Sequence, residues 1–317
     1  MFMFKKILFV IAVCTLIISC GKSTAKDDHG CFTDYEEAVK NAEKKNIPLL
    51  AVFTSERNDE QNEQFVTDII KDEAFSSIQK DYSVFHVDFS SDDIQANYQI
   101  AMLFNIDVMP AVFLCTKEGY VVSKISDEEE FSSMLEFKNV LSSKKEQLNS
   151  FNQMVAQTKK GSASQKVEAI DTLYNATAVE YRNSLLPLVQ EVLKLDKKNE
   201  TGLAGKYILA LAETEAVTAF STGDTDSAIQ KYLEAANNTF LKAEDKQECF
   251  YTAAYLAAYS GSEDYDGIMT YLQTSYDLAP QSDKAPAIKE AIEYFKLIRD
   301  NVGKNDSQDT SKIADEK

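Results

Sequence analysis

Hydrophobic and polar positions divide the chain into three regimes. The first twenty residues, MFMFKKILFVIAVCTLIISC, hold an apolar run from Ile7 to Ile18 interrupted only by Thr15, with Lys5 and Lys6 before it and the polar stretch GKSTAKDDHG after it. From about residue 32 to 148, short apolar runs alternate with amphipathic ones. IPLLAVFT, SVFHVDF, AVFLCT and YVVSKIS read as strands, and the first, opened by Pro48, is apolar enough to be buried on both faces as in a parallel sheet. DYEEAVKNAEKK, the stretch from Glu60 to Ile78 with Phe65, Ile69 and Ile70 on one side, and DDIQANYQIAMLFNI read as helices. A closing helix is expected to open at Ser126 and Glu129, a capping-box spacing, and to carry Phe131, Leu135 and Leu148 on its apolar side. Its pattern runs on through Phe151, Met154 and Val155 until KKGSAS breaks it at Gly161.

Beyond Gly161 the period becomes helical throughout, over 166–177, 179–195, 201–220, 225–237, 241–260, 264–278 and 284–300. The segments FSTGDTDSAIQKYLEAA and YSGSEDYDGIMTYLQTS align Ala228 with Gly267, Tyr232 with Tyr271 and Leu233 with Leu272, each 39 residues apart. EVLKLDKKN is similar to SYDLAPQSD. These segments resemble degenerate tetratricopeptide-type repeats, whose period is about 34, and the resemblance implies helix pairs stacked into an array with a protein-binding concave surface. Tyrosines and alanines at this spacing also read as ordinary core. The expected organisation is a leader (1–20), a tether (21–31), an α/β domain (32–148), a helix extension and hinge (149–164), an all-α helical-repeat domain (165–303) and a disordered tail (304–317).

The leader has the form of an export signal, too short for a spanning helix of about 20 residues. Its end, Ile17-Ile18-Ser19-Cys20-Gly21, resembles the lipobox of bacterial lipoproteins. That resemblance implies cleavage before Cys20, a diacylglycerol on its sulfur, and a protein of the bacterial cell envelope anchored to a membrane by lipid without crossing it. An ordinary secretory signal that contains a cysteine is the alternative. Removing Lys5 and Lys6 from 33 basic and 51 acidic side chains leaves a formal charge of −20, which disfavours nucleic acid and anionic surfaces as partners. His29 and His86 are the only histidines, so a metal site or a histidine-based triad has little material, and no cofactor or metal is expected.

Cys14 leaves with the leader and Cys20 takes lipid, so Cys31 in the tether, Cys115 in a strand and Cys249 in a helix remain. An odd number at such spacing is no disulfide framework. Cys115 reads as a small buried residue.

The order strand, helix, strand, helix, two adjacent strands and a helix is that of the thioredoxin fold. Val87-Asp88, then Tyr98 and Ile106, then Met109-Pro110 leading into Ala111-Val112-Phe113, resemble the segment of that family in which a helix ends before a cis-proline strand. Tyr35-Glu36-Glu37-Ala38 followed by Lys45-Asn46-Ile47-Pro48 resembles its exported branch. The resemblance implies a Cys-x-x-Cys pair at the start of the second helix, where the helix dipole lowers the first thiol's pKa. Asp59 and Asn62 fall at those positions, and no cysteine occurs from Phe32 to Leu114. The family's buried acid on the preceding strand is also missing, since Leu49 to Phe53 is apolar.

SERNDEQN therefore reads either as polar residues complementing a helix start, Asp59 and Glu60 among them, or as a lip facing Met109 and Pro110 that binds extended peptide through main-chain hydrogen bonds. Met109 also reads as a packing residue. The expectation for the whole chain is a non-catalytic adaptor that binds an unidentified protein or peptide. Two alternatives stand beside it: a thiol-disulfide or peroxide-defence enzyme using Cys31, Cys115 or Cys249, and a structural envelope protein.

Overall fold

The computed structural model describes residues 26–55, 60–89, 100–106, 108–125 and 133–314, with side chains to residue 301. The leader with Cys20, together with Asp59, Tyr98, Ser126, Glu129 and Phe131, lies outside them. The described chain forms two units, one of residues up to 153 plus 177–184, the other of 154–176 plus 185 onward.

The first unit is built on a four-stranded sheet of order β2-β1-β3-β4. α1 (Tyr35–Lys45) starts where the Asp34 side chain accepts a hydrogen bond from the Glu37 amide at 2.9 Å. It ends where Asn46 turns left-handed at φ 55°. The chain then enters β1 (Leu49–Thr54), which is buried along its whole length because strands flank it on both sides. β2 (Ser83–Asp88) runs parallel to it, with Phe53 opposite Val87. β3 (Ala111–Cys115) runs antiparallel, with Phe53 opposite Ala111, and β4 (Val121–Lys124) closes the far edge. Alternation sends Leu49, Ala51 and Phe53 to one face, where they meet Ala38 and Ala42 of α1 and Phe104 of the helical residues 100–104. Phe53 sits among Phe85, Phe89, Phe104 and Phe113 at centroid distances of 5.0 to 6.1 Å.

Three expectations change here. The single helix read over Glu60 to Ile78 is two, α2 (Glu60–Phe65) and α3 (Phe75–Asp81), separated by a π-helical turn at Val66–Ile70 in which the Lys71 amide donates to the Val66 carbonyl at 2.9 Å. The wider turn keeps Phe65, Ile69 and Ile70 all buried, and an Asp72 turn then redirects the chain. α4 (Met134–Ser143) is capped by Ser133, whose hydroxyl accepts from the Glu136 amide at 3.3 Å, a serine to glutamate spacing one turn and more beyond the pair read from sequence. Residues 26–31 are no tether. The Phe32 amide donates to Val84 O at 2.8 Å and the His86 amide to Phe32 O at 2.9 Å, so this segment lies along the β2 edge and buries Cys31 completely.

α5 (Lys145–Thr158) contains the boundary between the units, and α6 (Ala163–Ala176) belongs to the second. A 3-10 turn at Val179–Leu185 follows, and its residues up to Ser184 pack in the first unit. The Tyr181 ring lies 6.0 Å from Phe113, Asn183 Nδ2 donates to Met102 O at 3.3 Å, and Val121 N donates to Ser184 Oγ at 3.1 Å. The break at Gly161 is real as a left-handed turn of φ 87°, but it is not where the units divide.

In the second unit α7 (Leu186–Leu195), α8 (Ala204–Ser221), α9 (Thr225–Ala236), α10 (Ala243–Tyr259), α11 (Tyr265–Leu278) and α12 (Ala285–Ala314) each pack on the next. Asp224 caps α9 by accepting from Ser227 N at 3.0 Å, and Asp264 caps α11 by accepting from Gly267 N at 2.9 Å. These caps, and the buried Tyr232 and Leu272, set the internal offset at 40 residues rather than 39. Matching tyrosine to tyrosine puts the helices one residue out of register. The backbone of 304–314 continues α12 as helix where the sequence reads as a disordered tail, since extending a formed helix adds a hydrogen bond for each residue fixed.

Candidate functional site

The place where a thiol pair was sought is the C-terminal end of β1. Pairing of Phe53 with Ala111 brings Thr54 and Ser55 alongside the Met109–Pro110 peptide bond, which is cis. Met109 and Pro110 are both half-buried. Asn62 is not on a polar lip: it is 1% exposed, and its Oδ1 accepts from the Ser55 amide at 3.1 Å. It therefore ties α2 back to the end of the strand.

A hydrogen-bonded line that sequence reading discounted runs through this end of the sheet. Thr54 Oγ1 lies 2.9 Å from His86 Nε2, and His86 Nδ1 lies 2.8 Å from Asp27 Oδ2. β1 supplies the threonine and β2 the histidine, in register two residues apart, while the segment before Cys31 brings the acid from 59 positions away. Burial pushes the Asp27 carboxyl up. Hydrogen bonds from His86 and from the Cys31 and His29 amides, with the attraction of His86, outweigh it and leave the carboxyl below its usual 3.8. An ionised Asp27 accepts from His86 Nδ1–H, which turns Nε2 toward the Thr54 hydroxyl. The connectivity is that of nucleophile, base and orienting acid, but Thr54 is only 1% exposed, so its hydroxyl meets no substrate. What the line does is pin residues 26–32 against the sheet. The signal that could have found it was His86 itself, a lone imidazole in an apolar strand that needs a polar partner on each nitrogen.

The three remaining thiols are brought together nowhere in the described residues. Cys31, Cys115 and Cys249 are each free and fully buried. Burial pushes Cys31 up to about 12, with the Asp27 charge adding to it, and Gln79 Nε2 lies 3.6 Å from its sulfur. Burial pushes Cys249 up to about 12 as well, reinforced by Glu213, Asp245 and Glu248. Burial alone raises Cys115. A thiol in this condition stays protonated and unreactive at neutral pH. Among the described residues no cluster of three or more His, Cys, Asp or Glu side chains could hold a metal ion.

The helical unit presents a different kind of site. Tyr251, Tyr255 and Tyr259 follow one another at every fourth residue of α10 and line a cavity of about 310 Å³ with Leu272 of α11 and Ala291 and Phe295 of α12. Tyr255 and Tyr259 are 58% and 69% exposed, although large apolar surfaces of a folded chain are usually covered.

A family model described as an uncharacterised protein C-terminal domain matches residues 203–301. The match falls on the helical unit. It spans α8 through the described side chains of α12, and with them the tyrosine-lined cavity. An uncharacterized protein of Treponema pallidum (strain Nichols) is 26% identical over 195 residues, 60% of this chain. The aligned stretch spans 63% of that relative's length. No described helix is long and apolar enough to cross a membrane.

Proposed function

We propose that the chain is a non-catalytic binding protein of the bacterial envelope, with a thioredoxin-like first unit that lacks redox groups and a tetratricopeptide-like helical unit that holds a protein or peptide partner. The observation that carries this reading is the state of the thiols: Cys31, Cys115 and Cys249 are buried and apart, each with a raised pKa, and none stands at the end of β1. The sheet order β2-β1-β3-β4, its single parallel pair and the cis bond before β3 support a thioredoxin-like identity for the first unit. Serial packing of α8 to α12 and the repeated aspartate caps support helix-pair repeats. The half-buried backbone at Met109–Pro110, just before β3, would take an extended peptide through main-chain hydrogen bonds, with Met109 as an apolar contact. Lipid attachment at Cys20, and with it an envelope location, rests on the Ile17 to Gly21 sequence and on the bacterial source of the similar protein.

Insulin reduction by the full chain, beside a variant with serine at 31, 115 and 249, tests the reading. No turnover by either is expected; thiol-dependent turnover would return the chain to the oxidoreductases. The lipid claim stands separately. Cys20→Ser should release the protein from the membrane fraction and stop its processing, and a variant that stays membrane-bound at normal size would sink it.

A further inference from the structure

We propose that the aromatic groove across α10, α11 and α12 binds a segment of a partner protein in which lysine or arginine side chains alternate with apolar ones. This rests on the binding role proposed above and names the surface and the chemistry of its ligand.

The apolar half of the recognition is the cavity of about 310 Å³ between Tyr251, Tyr255 and Tyr259 on one side and Ala291 and Phe295 on the other, floored by Leu272. Its wall continues to one further ring, the half-buried Phe220. Tyr255 and Tyr259 stack at 6.0 Å and 23°, and Phe220 from the end of α8 lies 5.8 Å from Tyr259. Stacked phenol faces exposed to water suit flat contact with a cation or its aliphatic stem.

Charge supplies the other half. Residues 203–301 hold eight Lys and Arg against sixteen Asp and Glu. Four of the eight are already engaged: Lys206 with Asp171, Lys231 with Glu215, Lys284 with Glu248 and Arg299 with Asp266. The surplus acids gather where the aromatic row ends. α8 finishes at Ser221 and is followed by Asp224 and Asp226; α10 finishes at Tyr259 and is followed by Glu263, Asp264 and Asp266. Asp224 and Asp264 cap α9 and α11 and Asp266 pairs with Arg299, which leaves Asp226 and Glu263 to meet a cation. The Phe220–Tyr259 contact brings these two helix ends together. Asp226 and Glu263 are both exposed at this edge. A cationic head group placed there leaves its stem, or an apolar neighbour, in the cavity. A second copy of the chain is the wrong occupant on the same ground, since it brings the same acidic surplus against its own.

The probes are fluorescein-labelled twelve-residue peptides alternating Lys with Leu, Lys with Ser, and Glu with Leu, followed by anisotropy with the full chain at low and high salt. The Lys-Leu peptide should bind at least tenfold more tightly than the other two and weaken with salt. Tyr255→Ser with Tyr259→Ser should weaken it at least tenfold, Tyr255→Phe should not, and Asp226→Lys with Glu263→Lys should flatten the salt dependence. These residues are exposed, and unchanged far-ultraviolet circular dichroism would verify that the variants fold. Equal binding of the Glu-Leu peptide, or wild-type affinity in the tyrosine variants, would overturn the proposal. So would a concentration-dependent dimer abolished by Tyr255→Ser, which would make the occupant a second copy. A peptide that cross-links at Met109 while the groove variants behave as wild type would overturn the groove and leave the binding role standing.

Discussion

Asp27 joins the segment before the sheet to its interior, and the sign of its pKa shift fixes how that junction responds to acid. Its folded-state carboxyl lies below 3.8, so its contribution is fully present above the unfolded value and disappears as pH falls through the folded one. The wild type should therefore lose, on acidification below about pH 3.8, a part of its stability that Asp27→Asn has already lost at neutral pH. Hydrogen bonds to a charged group are worth about 1.5 to 3 kcal/mol, which sets the expected neutral-pH loss at about 2 kcal/mol. Urea unfolding of both proteins at pH 7 and pH 3 measures it, and parallel pH profiles would show that Asp27 is not the group responsible. Gly205 offers a second residue-scale test. A Cβ there would lie 2.5 Å from the Phe240 carbonyl oxygen, a backbone atom that cannot swing aside. Replacing glycine by alanine inside a helix normally gains about 1 kcal/mol, whereas overpacking costs about 1 to 3 kcal/mol. With backbone as the obstacle the clash should win, and Gly205→Ala should lower the thermal midpoint of the helical unit in calorimetry.

At the scale of elements, α10 and the end of α11 are joined by one buried amide. Gln247, 1% exposed, donates through Nε2 to Ser275 O at 3.1 Å and Ala279 O at 2.9 Å, and its Oε1 accepts from Ser282 Oγ at 2.5 Å. Gln247→Leu keeps the volume and takes the Nε2 donor from Ser275 O, while Ala279 O still accepts from the Ser282 amide at 3.1 Å and the half-buried Ser282 hydroxyl can turn to water. A carbonyl left unpaired when buried costs about 1 to 3 kcal/mol. A loss of about 2 kcal/mol by chemical denaturation is expected, and a loss under about 1 kcal/mol would mean that water replaces the amide. None of this is visible in QEC, where glutamine looks like any helical surface residue. The elements themselves were legible wherever period decided: the four strands, and the helices from α6 onward to within a few residues, except the start of α7, which is a 3-10 turn over Val179–Leu185, and the end of α12, which runs on to Ala314. Legibility failed where a non-local partner decided. Lys71-Asp72-Glu73 contains no glycine or proline, so nothing local announces the π-helical turn and the break after it. Asn62 reads as solvent-facing until the Ser55 amide is seen to need it, and Cys31 reads as tether until Phe32 pairs with the β2 edge. The absence of a thiol pair, by contrast, needed no structure.

For the whole molecule, the order of the chain and the order of the units differ, because residues 177–184 leave the helical half and complete the first unit. A breaker such as Gly161 marks where backbone turns, but only packing tells which core a later segment joins. The consequence is measurable in the full chain. Tyr181 lies edge-on to Phe113 at 6.0 Å and 83°, and Ser184 Oγ satisfies the amide of Val121 on the outer strand of the sheet. Removing a buried aromatic side chain costs about 3 to 5 kcal/mol, and Tyr181 is only half-buried, so Tyr181→Ala should cost the first unit about 2 kcal/mol. Hydrogen exchange locates the effect. Amides of Val121–Lys124 and Ala111–Cys115 should exchange faster in Tyr181→Ala, while those of α10 and α11 keep their wild-type protection. Faster exchange in α10 and α11 with the sheet unchanged would assign 177–184 to the helical unit instead, and a division of the chain at Gly161 would then be the correct one.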